Sequence, residues 1–277
     1  MRDVDWVITC MDSDKFRLML QWLPETPWFR LRRIELVTHR QRPEIVEICS
    51  KYARVLRPLW PIRCRTDQLE CDYLDRIDAP EALRVYFRDL LGVKLMLPLT
   101  NDMPMMFTDD DVVVTTDPMY LWGPSAWGSQ SGLDAYTDTA KDVSSLGALA
   151  HAFNMPIGLS DFNATRTDAG VWYLPNINRI DYADRLRRYF SHPLTVQVSQ
   201  DTGVANGDHT QRFRKLDQRF LSGYMIYSGG LPLRGPHYRA LADKNPPKTV
   251  PQATFLHYCA SGRKEAYMRW LDEECVG

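Results

Sequence analysis

Apolar positions along the chain fall into short extended runs that alternate with stretches of helical spacing. Residues 5–11 (DWVITCM) predict a buried strand. After polar Asp12, Ser13 and Asp14, residues 15–23 (KFRLMLQWL) take the 3.6-residue spacing of a helix. Residues 33–38 (RIELVT) predict a second strand, and over 43–56 Ile45, Ile48, Tyr52 and Val55 line one helix face. A further helix is expected over 79–91 (APEALRVYFRDLL), with Pro80 in the first turn, where the proline's missing N–H is tolerated. Residues 169–174 (AGVWYL) return to strand, and 182–190 and 216–225 to helix. Pro246, Pro247 and Pro251 mark a loop ahead of 254–258.

This β-α-β-α order predicts an α/β fold, a mostly parallel sheet with helices on both faces and ligands at the carboxyl ends of the strands. Between Trp122 and Phe162 the text turns to Gly, Ser, Asp and Ala with one helix over 146–153, which reads as a long functional insertion or lid.

One strand breaks the pattern. The run PMMFTDDDVVVTTDP, residues 104–118, sets Asp109, Asp110 and Asp111 between two strongly apolar β-forming stretches. Carboxylates there are costly to bury without a cation or a donor. Hard oxygen ligands of this kind suit Mg²⁺ or Mn²⁺, which in turn holds phosphate; the plainer reading is a solvated acidic turn.

Composition narrows the class. With 277 residues, 44% hydrophobic and 25% charged, the chain is expected to form one globular domain, and no apolar run reaches the ~18 residues of a membrane span. The opening MRDVDWVITC lacks the basic and apolar segments of an export signal, and the six scattered cysteines form no CxxC pair. A reducing cytoplasmic setting is therefore expected. A formal net charge of −1 lacks the basic excess of many nucleic-acid binders. Three arginine-rich clusters, 30–33, 185–188 and 212–215, read most simply as solvated helix faces; converging on one face, they would suit a polyanionic acceptor.

FTDDDVVVTTDPMYLW resembles the DxD-bearing strand of GT-A glycosyltransferases, especially the retaining group of glycogenin-like and bacterial galactosyltransferases (glycosyltransferase family eight). Three later segments keep that family's order. TDAGVWYLP (167–175) is similar to its N-[AS]-G-V strand, with Asp168 in place of Asn. LDQRFL matches its D-Q pair, and FLHYCASGRKEAYMRWL (255–271) is similar to its closing H-[FY]-x(n)-G-x-x-K-P-W segment, with Glu265 and Ala266 in place of Pro-Trp.

The resemblance implies a single Rossmann-like GT-A domain, with a nucleotide-sugar-binding half over 1–122 and an acceptor-binding, metal-closing half over 123–277. It implies Asp109, Asp111 and His257 as ligands of Mn²⁺ or Mg²⁺, and Asp168, Asp217 and Gln218 as the groups that hold and transfer the sugar. Thr9, Met11, Asp12, Arg84, Lys94, Asp110, Gly262, Arg263 and Lys264 are implied as contacts of the nucleotide-sugar donor. The expected reaction moves a hexose, from UDP, to an acceptor hydroxyl with retention. The acceptor is a saccharide, a small molecule or a hydroxymethylated base in DNA. Each residue also has a plainer reading: His257 as a packed core histidine, Asp217 as an acid near a helix start, Asp168 as a turn acceptor, Lys264 as a surface charge. A nucleotidyltransferase acting on a sugar phosphate is the alternative from another class, although CMDSDKF lacks the glycine-rich basic loop such enzymes often carry.

Overall fold

The computed structural model describes residues 4–10, 33–38, 56–58, 62–65, 68–87, 90–100, 104–109, 112–114, 118–121, 123–130, 139–165, 167–196, 216–233, 238–240 and 254–257. Within them the expected strands at the front of the chain form: β1 (Asp5–Cys10) and β2 (Arg33–Thr38), followed by short β3 (Leu56–Pro58) and a two-stranded ribbon, β4 (Ile62–Arg65) and β5 (Gln68–Cys71). The helices expected over 15–23 and most of 43–56 lie outside the described residues. The helix expected over 79–91 is instead two helices. After α1 (Asp72–Arg76), α2 (Glu81–Phe87) starts just past Pro80, and α3 (Leu90–Thr100) carries the chain to β6 (Met105–Asp109).

Downstream lie β7 (Val112–Val114), a 3-10 turn at Pro118–Leu121, β8 (Trp127–Gln130), α4 (Thr139–Phe153), α5 (Leu159–Thr165) and β9 (Thr167–Leu174). The chain continues through α6 (Arg179–Ser191), α7 (Leu216–Ser228), β10 (Leu231–Leu233), β11 (Tyr238–Ala240) and β12 (Phe255–His257). The stretch expected as an insertion or lid thus gives a strand and two helices to the body of the fold.

The main sheet has seven strands in the order β10-β8-β9-β6-β1-β2-β3, and only β9 runs against the rest. Strands leave β1 toward β2 and β3, then cross back to β6 on its other side. That reversal opens a crevice at the carboxyl ends of β1 and β6, the place where open α/β sheets take their ligands. A smaller sheet, β11-β12-β7, joins the segment after the acids to the segment ending at His257.

Alternation along β6 and β9 builds the core. Met105, Phe107, Trp172 and Leu174 belong to the cluster formed with the helices, and the Phe107 and Trp172 rings stack with centroids 5.2 Å apart. On α4, α6 and α7, Phe153, Tyr182, Tyr189, Phe190, Phe220 and Tyr224 interleave, and Tyr182 Oη donates to the Leu95 carbonyl at 3.0 Å, tying α6 to α3. Gly223 lets α7 approach α4 closely: a Cβ there would stand 2.6 Å from Phe153 Cε2 and 2.9 Å from Leu149 Cδ2. Gly229, at φ +65°, ends α7, and Gly230 N–H returns to the Met225 carbonyl at 2.7 Å, turning the chain into β10 beside β8.

Candidate active site

Met105, Met106, Phe107 and Thr108 are fully buried, and exposure begins at Asp109, where β6 meets the crevice. Thr9 of β1 is the register partner of Asp109. Lys94 reaches the same point from α3. Four residues separate the end of α3 from β6, so Lys94, about 9 Å back along the helix, returns to the carboxyl end of the strand. Its Nζ lies 2.6 Å from Asp109 Oδ1, and its side chain is 5% exposed against 20% for the aspartate. The ammonium also lies 5.3 Å from the centroid of the Phe107 ring. An ammonium this deeply buried needs an anion, and Asp109 supplies it.

Asp217 approaches from the first turn of α7 and is 1% exposed. Its backbone N–H donates to Tyr86 Oη at 3.0 Å, while its Oδ1 is buried with no hydrogen-bond partner. Burial pushes this carboxyl up to about 6. The Lys94 charge and hydrogen bonds from the Gln218 backbone and Tyr86 pull it back, and the negative Asp109 pushes it further up. Asp217 is therefore within electrostatic reach of the Lys94–Asp109 pair. Gln218, the next residue, is half-buried.

Two further predicted residues are placed by strand register. β9 runs antiparallel to β6 with Val171 opposite Thr108, so Asp168, three residues earlier, stands at the Asp109 end of the sheet. His257, 5% exposed, pairs with Val112 across β12 and β7, and Asp111 is the residue before Val112 in the chain. Among the described residues no three acidic, histidine or cysteine side chains stand together as a metal cluster. Met11, Asp12, Asp110, Asp111, Gly262, Arg263 and Lys264 lie outside the described residues.

Arg84 goes elsewhere. Its guanidinium lies 2.7 Å from Asp75 Oδ1 and donates to the carbonyls of Ala79 at 3.0 Å and Leu74 at 3.4 Å, closing the turn between α1 and α2. The structure does not bring it to Asp109, Asp217 or His257. The 185–188 cluster is neutralised on its own helix: Arg185 pairs with Asp181 at 2.8 Å, and Arg187 and Arg188 share Asp184 at 2.9 and 2.8 Å. A cavity of about 380 Å³, lined by Arg76, Leu99, Arg179 and Arg187 among others, lies off the opposite end of the sheet, where α3 ends and α6 begins.

No protein-family model and no curated protein matches the chain. Solved structures do. The galactosyltransferase LgtC, in complex with donor and acceptor sugar analogs, superposes over 98% of this chain and 96% of its own, with a TM-score of 0.52 and 12% identity. The fold is the GT-A fold. Weaker likenesses run to the glycosyltransferase GlyE of Streptococcus pneumoniae (TM-score 0.49, 12% identity, 99% of this chain) and to mouse xyloside xylosyltransferase 1. This chain spans only 64% of GlyE; the mouse enzyme matches at TM-score 0.46 and 12% identity over 94% of this chain and 99% of its own.

Tyr86, which holds the Asp217 amide, is a neighbour of the candidate site that sequence reading missed. It sits in the apolar run ALRVYF, fully buried, and nothing local marks its hydroxyl as the acceptor for the Asp217 amide.

Proposed function

We propose that the chain is a metal-dependent glycosyltransferase that moves a hexose from a UDP-linked donor to an acceptor hydroxyl with retention of configuration. One observation carries the reading: a buried carboxylate oxygen, Asp217 Oδ1, without a hydrogen-bond partner, on a residue within electrostatic reach of the Lys94–Asp109 pair at the end of β6. Buried polar atoms are normally satisfied, and an acceptor left open here suits a ligand that brings hydroxyl donors, as a sugar does.

The donor set fits a divalent cation. Asp109 lies at a strand end and buried His257 pairs in register with Val112; with Asp111, the residue before Val112 in the sequence, they make a borderline set of oxygen and nitrogen ligands suited to Mn²⁺ or Mg²⁺. Bound to Asp109, Asp111 and His257, that ion supplies Lewis acidity toward the departing diphosphate. The chain's own groups do the rest. Asp217 and Asp168 accept hydrogen bonds from sugar hydroxyls and so orient the ring, and Gln218 stands near the anomeric carbon, where front-face attack by the acceptor gives retention. Thr9, Met11, Asp12 and Asp110 contact the nucleoside or sugar. Lys264, Arg263 and the Gly262 backbone offset charge on the diphosphate as it forms. Lys94 holds Asp109 in place from the protein side.

A saccharide is the acceptor we favour. The one described arginine cluster spends its charge on Asp181 and Asp184, which removes part of the footing for a polyanionic acceptor such as DNA. Incubation with Mn²⁺ and a panel of nucleotide sugars, following release of the nucleoside diphosphate, tests the proposal. Slow hydrolysis of at least one donor is expected, lost on chelation and in Asp109→Asn. Neither hydrolysis nor metal-dependent nucleotide binding with any donor would overturn it.

A further inference from the structure

Ser222 joins the two elements that carry the sugar-binding acids, and its hydroxyl is fully used in doing so. It lies one turn beyond Gln218 on α7 and is 1% exposed; Thr167, which opens β9, is 2% exposed. Ser222 Oγ is 2.7 Å from the Gln218 carbonyl oxygen, 3.0 Å from Thr167 N and 3.2 Å from Thr167 Oγ1.

Two of the three directions are fixed by chemistry. A carbonyl only accepts and an amide N–H only donates, so Ser222 O–H goes to Gln218 and Thr167 N–H comes to Ser222. Its single proton spent, Ser222 accepts from the Thr167 hydroxyl as well. The methyl of Thr167 is set by the opposite neighbour: it occupies the space over Gly128 of β8, where a Cβ would stand 2.8 Å from Thr167 Cγ2. Thr167 precedes Asp168 in the chain, and Gln218 follows Asp217. One buried hydroxyl thus sets the spacing between the start of β9 and the first turn of α7.

Apolar packing alone would hold α7 on the sheet, since Phe220, Leu221 and Met225 are already buried there. Three directional bonds do something packing does not: they fix register and distance between two polar termini. We infer that Ser222 is a positioning residue for glycosyl transfer, holding the Asp168 backbone and the Asp217–Gln218 turn at the separation at which both acids meet one sugar ring. The inference rests on the glycosyltransferase reading. Ser222 touches no substrate itself.

The test uses the full chain with Ser222→Ala and Ser222→Thr. Without ligand, hydrogen exchange at the Thr167 amide is expected to accelerate at least about tenfold in S222A and to recover in S222T, because the Ser222 hydroxyl accepts from that amide. With Mn²⁺, UDP is compared with UDP-glucose and UDP-galactose. S222A is expected to bind UDP within about twofold of wild type, to lose about tenfold of the added affinity that the sugar confers, and to fall about tenfold in kcat, with S222T restoring both. Unchanged exchange at Thr167 in S222A overturns the clamp. So does a wild-type sugar increment and kcat in S222A, or equal weakening of UDP and the UDP-sugars, which marks a purely structural role. A wild-type protein that binds none of the three nucleotides contradicts the glycosyltransferase reading instead, and the inference falls with it.

Discussion

Replacing Asp217 by asparagine separates a structural acid from a functional one. In the folded protein burial holds this carboxyl at about 6 against an ordinary value of 3.8, a difference of roughly 2 units or about 3 kcal/mol. Between those values the folded state binds more protons than the unfolded state, so stability falls as pH rises from about 4 to about 6 and is flat above. About 2 kcal/mol of that loss lies between pH 4 and pH 8. Asp217→Asn keeps the shape and removes the titration. Urea unfolding of the metal-free proteins at both pH values is therefore expected to show the variant gaining about 2 kcal/mol on wild type as pH rises. Donor turnover by the same variant should fall by a hundredfold or thereabouts, roughly 2 to 3 kcal/mol of lost sugar contact. More stable and less active is the signature of an acid held at a cost for function. A stability difference that does not change with pH would show that Asp217 carries no raised pKa in the folded protein.

Other perturbations probe single contacts. Asp109→Asn strips the buried Lys94 ammonium of its aspartate partner and should cost about 3 kcal/mol in chemical unfolding, largely recovered in the Lys94→Met, Asp109→Asn double variant. His257→Ala should weaken Mn²⁺ binding by about 10- to 100-fold, read by titration calorimetry, while thermal unfolding of the metal-free protein confirms that it folds. Arg84→Ala should cost about 1 kcal/mol of stability, since its ion pair and carbonyl bonds close the α1–α2 turn, and leave UDP affinity within about twofold. Gly223→Ala should destabilise by about 2 kcal/mol in thermal unfolding because its methyl meets Phe153 and Leu149.

What could be read in the sequence follows from how each element is covered. β1 and β6 carry short apolar runs, Trp6–Ile8 and Met105–Phe107, β2 sets β-branched and apolar Ile34, Leu36 and Val37 around a single Glu35, and α6 shows a one-sided stripe with Tyr182, Leu186 and Tyr189 inward, so each announces itself. The helix α3 does not. LLGVKLMLPLT is buried from Lys94 through Leu99, so it has no polar face to mark a period, and Gly92 and Pro98 argue locally against helix. β8 fails for the opposite reason. WGSQ has one large apolar residue, yet Gly128 makes room for Thr167, and Ser129 Oγ accepts from the Val171 amide at 3.3 Å.

The site divides the same way. Asp109 stood out because an acid ended an apolar strand, and the order of later motifs marked Asp168, Asp217 and His257. Sequence could not separate Arg84 from Lys94, two basic residues in neighbouring helices, because only the path of α3 back along β6 decides which reaches Asp109. Tyr86 and Ser222 act across 131 and 55 residues of chain, contacts that no local pattern encodes.

The proposed role of Asp217 is that its unpartnered carboxylate oxygen receives a hydroxyl of a donor sugar. Calorimetry with Mn²⁺, comparing UDP with UDP-hexoses on wild type and Asp217→Ala, measures this directly. One hexose is expected to add at least about tenfold to UDP affinity in wild type, roughly 1.4 kcal/mol, and to add little or nothing in the variant. A sugar increment of the same size in Asp217→Ala, or no increment with any hexose in wild type, would contradict it.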